Sequence, residues 1–151
     1  MSKQLEVSNE TKTVNTKEFS VDELNKALFD FEDLMERCMT PFFLLGDTGK
    51  DIIDGFLLRG SKVEVGFKAG ELTEMVLSTI ETYKGIKLDK NQGKWTYFVD
   101  EVPVEVTIIT KKYKFFEFPN TIFYWGGDYK LPNPYDNYYK SRYIIKWQKS
   151  Y

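Results

Sequence analysis

The residues best suited to chemistry lie at positions 46–49, Gly46-Asp47-Thr48-Gly49. They follow a short apolar strand, Phe42 to Leu45, and open a brief helix to about Leu58. A glycine-bearing loop that opens a helix presents free backbone N–H groups and the positive end of a dipole, which suits an anionic phosphate. A second strand follows from Ser61, where polar and apolar residues alternate. Side chains repeat every second residue along a strand, so Lys62, Glu64 and Gly66 share one face while Val63, Val65 and Phe67 share the other. One face packs and the other is free to meet a ligand.

Composition narrows the chemistry. The chain has no histidine and one cysteine, which excludes the usual triads, imidazole acid/base work and an intrachain disulfide. Any catalyst must use carboxylates, Lys, Tyr or backbone groups. Cys38 occupies an apolar helical position and reads as a small buried hydrophobe. The 21 Lys plus Arg against 23 Asp plus Glu give a formal charge of −2, without the dominant basic patch of a general nucleic-acid binder. No apolar run approaches the ~18 residues of a membrane span, and the start lacks the form of a signal peptide. The expectation is a soluble cytoplasmic protein. At 151 residues it forms one domain, residues 16–151, behind a polar, flexible N-terminal segment, residues 1–15.

Ser20 and Glu23 fit a capping box. Beyond them Leu24, Leu28, Phe31, Met35 and Cys38 recur at helical spacing, which predicts an amphipathic helix through about Arg37. A second long helix starts at Ala69-Gly70, with Leu72, Met75, Val76, Ile80 and Tyr83 as its apolar stripe and Gly85 as its left-handed stop. Strands Trp95–Val99 and Val102–Ile109 follow, joined tightly at Asp100-Glu101. Lys111 to Phe118 and Thr121 to Trp125 then read as a hairpin around Pro119-Asn120. Glu105 shares its strand face with Pro103, Thr107 and Ile109. Aromatics make up 17% of the chain and read as core and sheet-surface residues.

This order of elements resembles the nucleotidyltransferase (polymerase beta-like) fold, and in particular the LicD/fukutin-like family of phosphoryl-group transferases. Family members carry a hydrophobic strand ending in Gly-Gly-Thr, a short helix, then Gly-Phe-Ile-Pro-Trp-Asp-Asp-Asp-Ile-Asp leading into a strand. Leu45-Gly46-Asp47-Thr48 stands for the first element, and Gly55 to Glu64 aligns without a gap to the second. Val104-Glu105-Val106 stands where the family has a third acidic residue. The segment from Gly126 through Pro132 and Pro134 to Tyr143 resembles the family's C-terminal Gly, Pro and Tyr-Leu-x-x-x-Tyr-Gly pattern, with Ile144 in place of the final glycine. Asp136 to Tyr143 is then a short helix whose aromatics close over the sheet edge, or alternatively a stacking platform for bases.

The resemblance implies an α+β fold with helices packed on a mixed sheet, and a cleft that joins Gly46, Asp47, Thr48 and Gly49 as the phosphate-binding loop to Lys62, Glu64 and Glu105. Within it, Glu64, Glu105 and Asp47 are the candidate ligands for Mg²⁺ or Mn²⁺, and Thr48 caps the short helix. The family's first metal-binding aspartate is replaced by Lys62 and the second by Glu64. Three readings stay open. One is an active transferase in which Lys62 acts on phosphate as a point charge. Another is a degenerate, catalytically inactive member that keeps the fold and a nucleotide pocket as a binding or regulatory module and needs no metal. The third is an interaction protein whose aromatic surface recognises a protein partner.

Overall fold

Ser20 starts the first helix as its sequence context predicts. Its hydroxyl accepts from the Glu23 N–H at 3.1 Å, and the Glu23 carboxylate accepts from the Ser20 N–H at 2.9 Å. This reciprocal capping box satisfies two N–H groups that the helix itself cannot. Helix α1 then runs Val21–Arg37 and buries Leu24, Ala27, Leu28, Phe31, Leu34 and Met35. Each such side chain contributes about 1.5–3 kcal/mol when fully removed from water. Cys38 caps the far end and is buried.

The computed structural model describes residues 17–110 and 114–140. The expected flexible segment 1–15, the start of the expected strand at 111–113 and positions 141–144 lie outside the described residues. Six strands form one mixed sheet: β1 (Phe43–Leu44), β2 (Val63–Lys68), β3 (Lys94–Val99), β4 (Val102–Ile109), β5 (Asn120–Tyr124) and β6 (Gly127–Leu131). Their order is β3-β4-β2-β1-β6-β5. The β2–β4 and β1–β6 pairs are parallel, the others antiparallel. With helices α2 (Gly46–Ile53), α3 (Thr73–Lys84), α4 (Lys114–Glu117) and α5 (Tyr135–Lys140), the chain is α+β. No helix among the described residues is long and apolar enough to cross a membrane.

Strand alternation sorts the sheet into two faces. Val63, Val65 and Phe67 of β2 and Val104, Val106 and Ile108 of β4 pack against α1 and α3 in the main core. On the opposite face a smaller cluster joins Phe43, Leu45, Ile109, Phe116 and Tyr138. Phe116 stands edge-on to Phe43 at 5.2 Å and to Tyr138 at 5.7 Å between ring centres, the arrangement that ring quadrupoles favour. That cluster covers one end of the second face; at the other end, among the described residues, Lys62 is exposed while Glu64 and Glu105 are half-buried.

Several expected boundaries and one connection are corrected. Helix α2 ends at Ile53 and not near Leu58, and it begins at Gly46, so the expected polar loop is its first turn. Helix α3 begins at Thr73 and keeps Gly85 as its left-handed stop, with φ of 65°. Its buried stripe is Val76, Leu77 and Ile80, while Leu72, Met75 and Tyr83 face water. Residues 114–117 are helical rather than extended. The last hairpin turns at Trp125-Gly126 and not at Pro119-Asn120, with β5 pairing β6; both turn residues have positive φ, 53° and 88°, as a two-residue type I′ turn demands.

The hairpin is tied to α1 by a buried polar contact. The Tyr124 hydroxyl donates to Asn25 Oδ1 at 2.6 Å and accepts from the Leu58 N–H at 3.2 Å. Asn25 Nδ2 is buried without a hydrogen-bond partner, so the contact leaves little redundancy. Tyr124→Phe deprives Asn25 Oδ1 and the Leu58 N–H of their partner together, and should destabilise the fold by about 1–3 kcal/mol in urea denaturation. A loss below a few tenths would mean that water replaces the hydroxyl.

Candidate functional site

Strand register brings the two candidate glutamates together. In the parallel β2–β4 pair Glu64 stands directly opposite Glu105, so both side chains project from the same open face. Adjacent strands lie only about 4.8 Å apart, and like charges in direct opposition destabilise a sheet. The structure answers each carboxylate differently.

Glu105 is neutralised by lysines. Lys62 Nζ lies 3.3 Å from its Oε2 and Lys94 Nζ lies 3.2 Å from its Oε1. Two ammonium groups against two carboxylates leave this patch without net charge. Lys94 was not expected at the site. Counting back from the Asp100-Glu101 connection finds it: that turn sets Thr96 opposite Glu105 and Lys94 opposite Thr107, within diagonal reach for a long side chain.

Glu64 turns instead toward the start of α2. Its Oε2 accepts from the Asp47 N–H at 2.9 Å, while its own N–H donates to Thr48 Oγ1 at 2.8 Å and its carbonyl accepts from the Leu45 N–H at 3.0 Å. The residue at the helix N-cap, Leu45, supplies no side-chain cap. The expected capping role of Thr48 is therefore corrected: a carboxylate from the neighbouring strand takes that place, and the buried Thr48 hydroxyl serves β2. Gly46 has φ of 52°, and a Cβ there would collide with the Glu64 carboxylate. Glycine is required twice over, by backbone conformation and by close approach.

Burial and hydrogen bonding compete at Glu64. Burial raises its pKa, and it outweighs the opposing pull of the Asp47 N–H and the Lys62 ammonium; the nearby Glu105 and Asp47 charges add to the rise. A helix N-terminus favours a carboxylate by about 0.3–1 kcal/mol when exposed, and desolvation exceeds that benefit here.

The remaining expected residues divide. Asp47 is exposed and meets Glu64 through its backbone. Gly49 is buried away from the open face: a Cβ there would overlap the Tyr139 hydroxyl and lie 2.9 Å from the Leu44 carbonyl oxygen. That hydroxyl donates to the same carbonyl at 3.3 Å, so Gly49 makes room for α5. An open hollow of about 460 Å³ lies beside Lys62, bordered by Lys17, Phe19, Ser61, Glu101 and Pro103; Glu64, Glu105 and Lys94 do not line it.

As held here, these side chains do not fit a divalent ion. One carboxylate faces two ammonium groups, the other is committed to a helix terminus, and no group of three or more His, Cys, Asp or Glu among the described residues is arranged to hold a metal. What the patch does offer is two ammonium groups, Lys62 and Lys94, as point charges that already pair with Glu105.

The chain matches no family model and no curated protein.

Two expectations follow. The isosteric Thr48→Val removes the acceptor for a strand N–H and should cost about 1–3 kcal/mol, read by urea denaturation; Thr48→Ser, which keeps the hydroxyl, should retain most of the stability. The second concerns pH. An unfolded glutamate titrates near 4.3, and native Glu64 titrates higher, so the native state holds more protons in between and loses stability as pH rises through that window. Glu64→Gln lacks this loss. Its melting temperature relative to the natural protein should rise from about pH 4 toward neutrality and then level off; a difference that falls over the same range would contradict the burial argument.

Proposed function

We propose that this chain is a nucleotidyltransferase-like protein related to LicD-type phosphoryl-group transferases, in which the cleft has lost its chemistry and serves as a nucleotide-binding or regulatory module. The observation that carries this reading is the Lys62–Glu105 ion pair at 3.3 Å. Lys62 falls where the resembling family has its first metal-binding aspartate, and its ammonium lies against the carboxylate matched to the third acidic position. Phosphoryl transfer needs in-line geometry and cations that neutralise charge on the transferring group. Ammonium groups supply positive charge without the coordination shell that aligns attacking and leaving oxygens.

In this reading Lys62 and Lys94 contact the phosphates of a nucleotide as point charges, Gly46 to Thr48 form the adjacent wall, and Glu64 holds that wall against β2. The active-transferase reading requires Glu105 to exchange both lysines for a metal. The third reading, a protein-binding surface, draws support from the exposed Phe56, Phe98 and Phe123; it places no demand on the cleft.

A nucleotide panel with and without Mn²⁺, read as melting temperature, tests the proposal. Ligand binding to the native state stabilises by mass action, about 2.7 kcal/mol at one hundred times Kd. Nucleotide should stabilise the natural protein equally with or without Mn²⁺. Lys62→Asp crowds three carboxylates and should melt lower alone, with Mn²⁺ or Mg²⁺ restoring stability. Strong metal stabilisation of the natural protein would sink the substitute-cation idea, and no response to any nucleotide would sink the binding role.

A further inference from the structure

Among the described residues strand β5 is an edge of the sheet, and it lacks the charged residues that keep edges apart. The run Phe118-Pro119-Asn120-Thr121-Ile122-Phe123-Tyr124-Trp125-Gly126-Gly127 contains no charged residue, and its one proline precedes the strand. The opposite edge, β3, begins at Lys94 and borders a hollow that also presents Lys84 and Lys87. Charges of that kind discourage edge-to-edge pairing. On β5, by contrast, Phe123 is 70% exposed, with Phe118 at 75% and Trp125 at 55% on either side. Trp125 also occupies a left-handed turn position, φ 53°, where Asn or Gly is the unstrained choice. An aromatic held there at a conformational cost invites a partner.

The geometry points to a second copy of this chain as that partner, paired antiparallel along β5 about a two-fold axis at Ile122. A two-residue turn makes Tyr124 and Gly127 a hydrogen-bonded pair, and the alternation of an antiparallel ladder then directs Ile122 and Asn120 to β6. Thr121 and Phe123 therefore direct their N–H and C=O groups outward. These two residues lie symmetrically about Ile122, so the two-fold sets Thr121 of each copy opposite Phe123 of the other and satisfies all the outward groups of both. Continuing the register sets Pro119 opposite Trp125 and Phe118 opposite Gly126, which gathers the exposed aromatics at each end. The absence of charge matters here, because identical copies bring identical charges together. At the stated exposures the three rings present on the order of 400 Å² per copy. Both copies, with Thr121, Ile122 and the strand backbone, reach about 1,000 Å², the lower bound for a biological interface.

Light scattering on the natural protein should give twice the chain mass at micromolar concentration. Phe123→Lys should weaken the dimer at least tenfold while its far-ultraviolet circular dichroism stays unchanged. Ile122→Cys should form an interchain disulfide under mild oxidation, because Cys38 is buried and the axis places the new thiols face to face. Thr96→Cys on the opposite edge should remain a single chain. A natural protein that stays monomeric overturns the proposal. A dimer that ignores Phe123→Lys and leaves Ile122→Cys unlinked overturns it equally, by placing the contact elsewhere.

Discussion

Two carboxylates set side by side by a parallel strand register are the constraint on which this molecule turns. Neither Glu64 nor Glu105 can shift to the other face without moving its whole strand, because Val63, Val65, Val104 and Val106 are buried on the reverse. The repulsion must be met locally. Lysines from the entry of β2 and the start of β3 meet it at Glu105, and the amide end of α2 meets it at Glu64. Gly46 is glycine for the same reason, since a larger residue would displace that carboxylate.

The support behind this face is conventional hydrophobic burial. Helix α1 lies across the sheet with Leu24, Leu28 and Phe31 fully buried. Tyr97 and Lys84 both reach Asp30 on that helix, at 3.2 and 2.7 Å. Burial and the Asp30 charge raise the Tyr97 pKa, which keeps the hydroxyl a donor. Tyr129 behaves alike: burial and its bond to Glu32 raise its pKa. The polar side chains of α1 thus meet tyrosines of the sheet that keep their protons and the Lys84 ammonium of α3, and the helix is fixed laterally as well as by packing.

What could be read from the residues depended on period and caps. The capping box, the Val102–Ile109 strand, the faces of β2 and β4 and the Gly85 stop all followed from local chemistry. The mixed sheet was expected from the family resemblance. The last hairpin was hidden because its turn carries tryptophan where glycine or asparagine is the usual mark, while Pro119-Asn120 imitates a turn and instead leads into a strand. The stripe on α3 was drawn too wide: Val76 and Ile80 are buried as expected, but Leu72, Met75 and Tyr83 are apolar and exposed, and hydrophobicity alone does not separate them. At the site, alternation set the face of each glutamate, while their convergence was expected from the family resemblance and depends on the parallel β2–β4 register. The embrace of Glu64 by α2 was not legible, because it depends on β1 and β2 running antiparallel, which no local spacing specifies.

Pro103 stands opposite Phe98 in the β3–β4 pair, at a position where β4 directs its backbone toward β2 rather than β3. Having no N–H, it offers nothing to a residue preceding Val63, and the β2–β4 ladder does begin at the Val63–Val104 pair. Proline thus acts as a stop on strand growth. The chain entering β2 peels away from the sheet, and the Gly60 carbonyl is taken up by the Phe19 N–H at 3.0 Å just ahead of α1. Lys62 sits at that point of departure, released from the ladder by one missing hydrogen and able to bend toward Glu105.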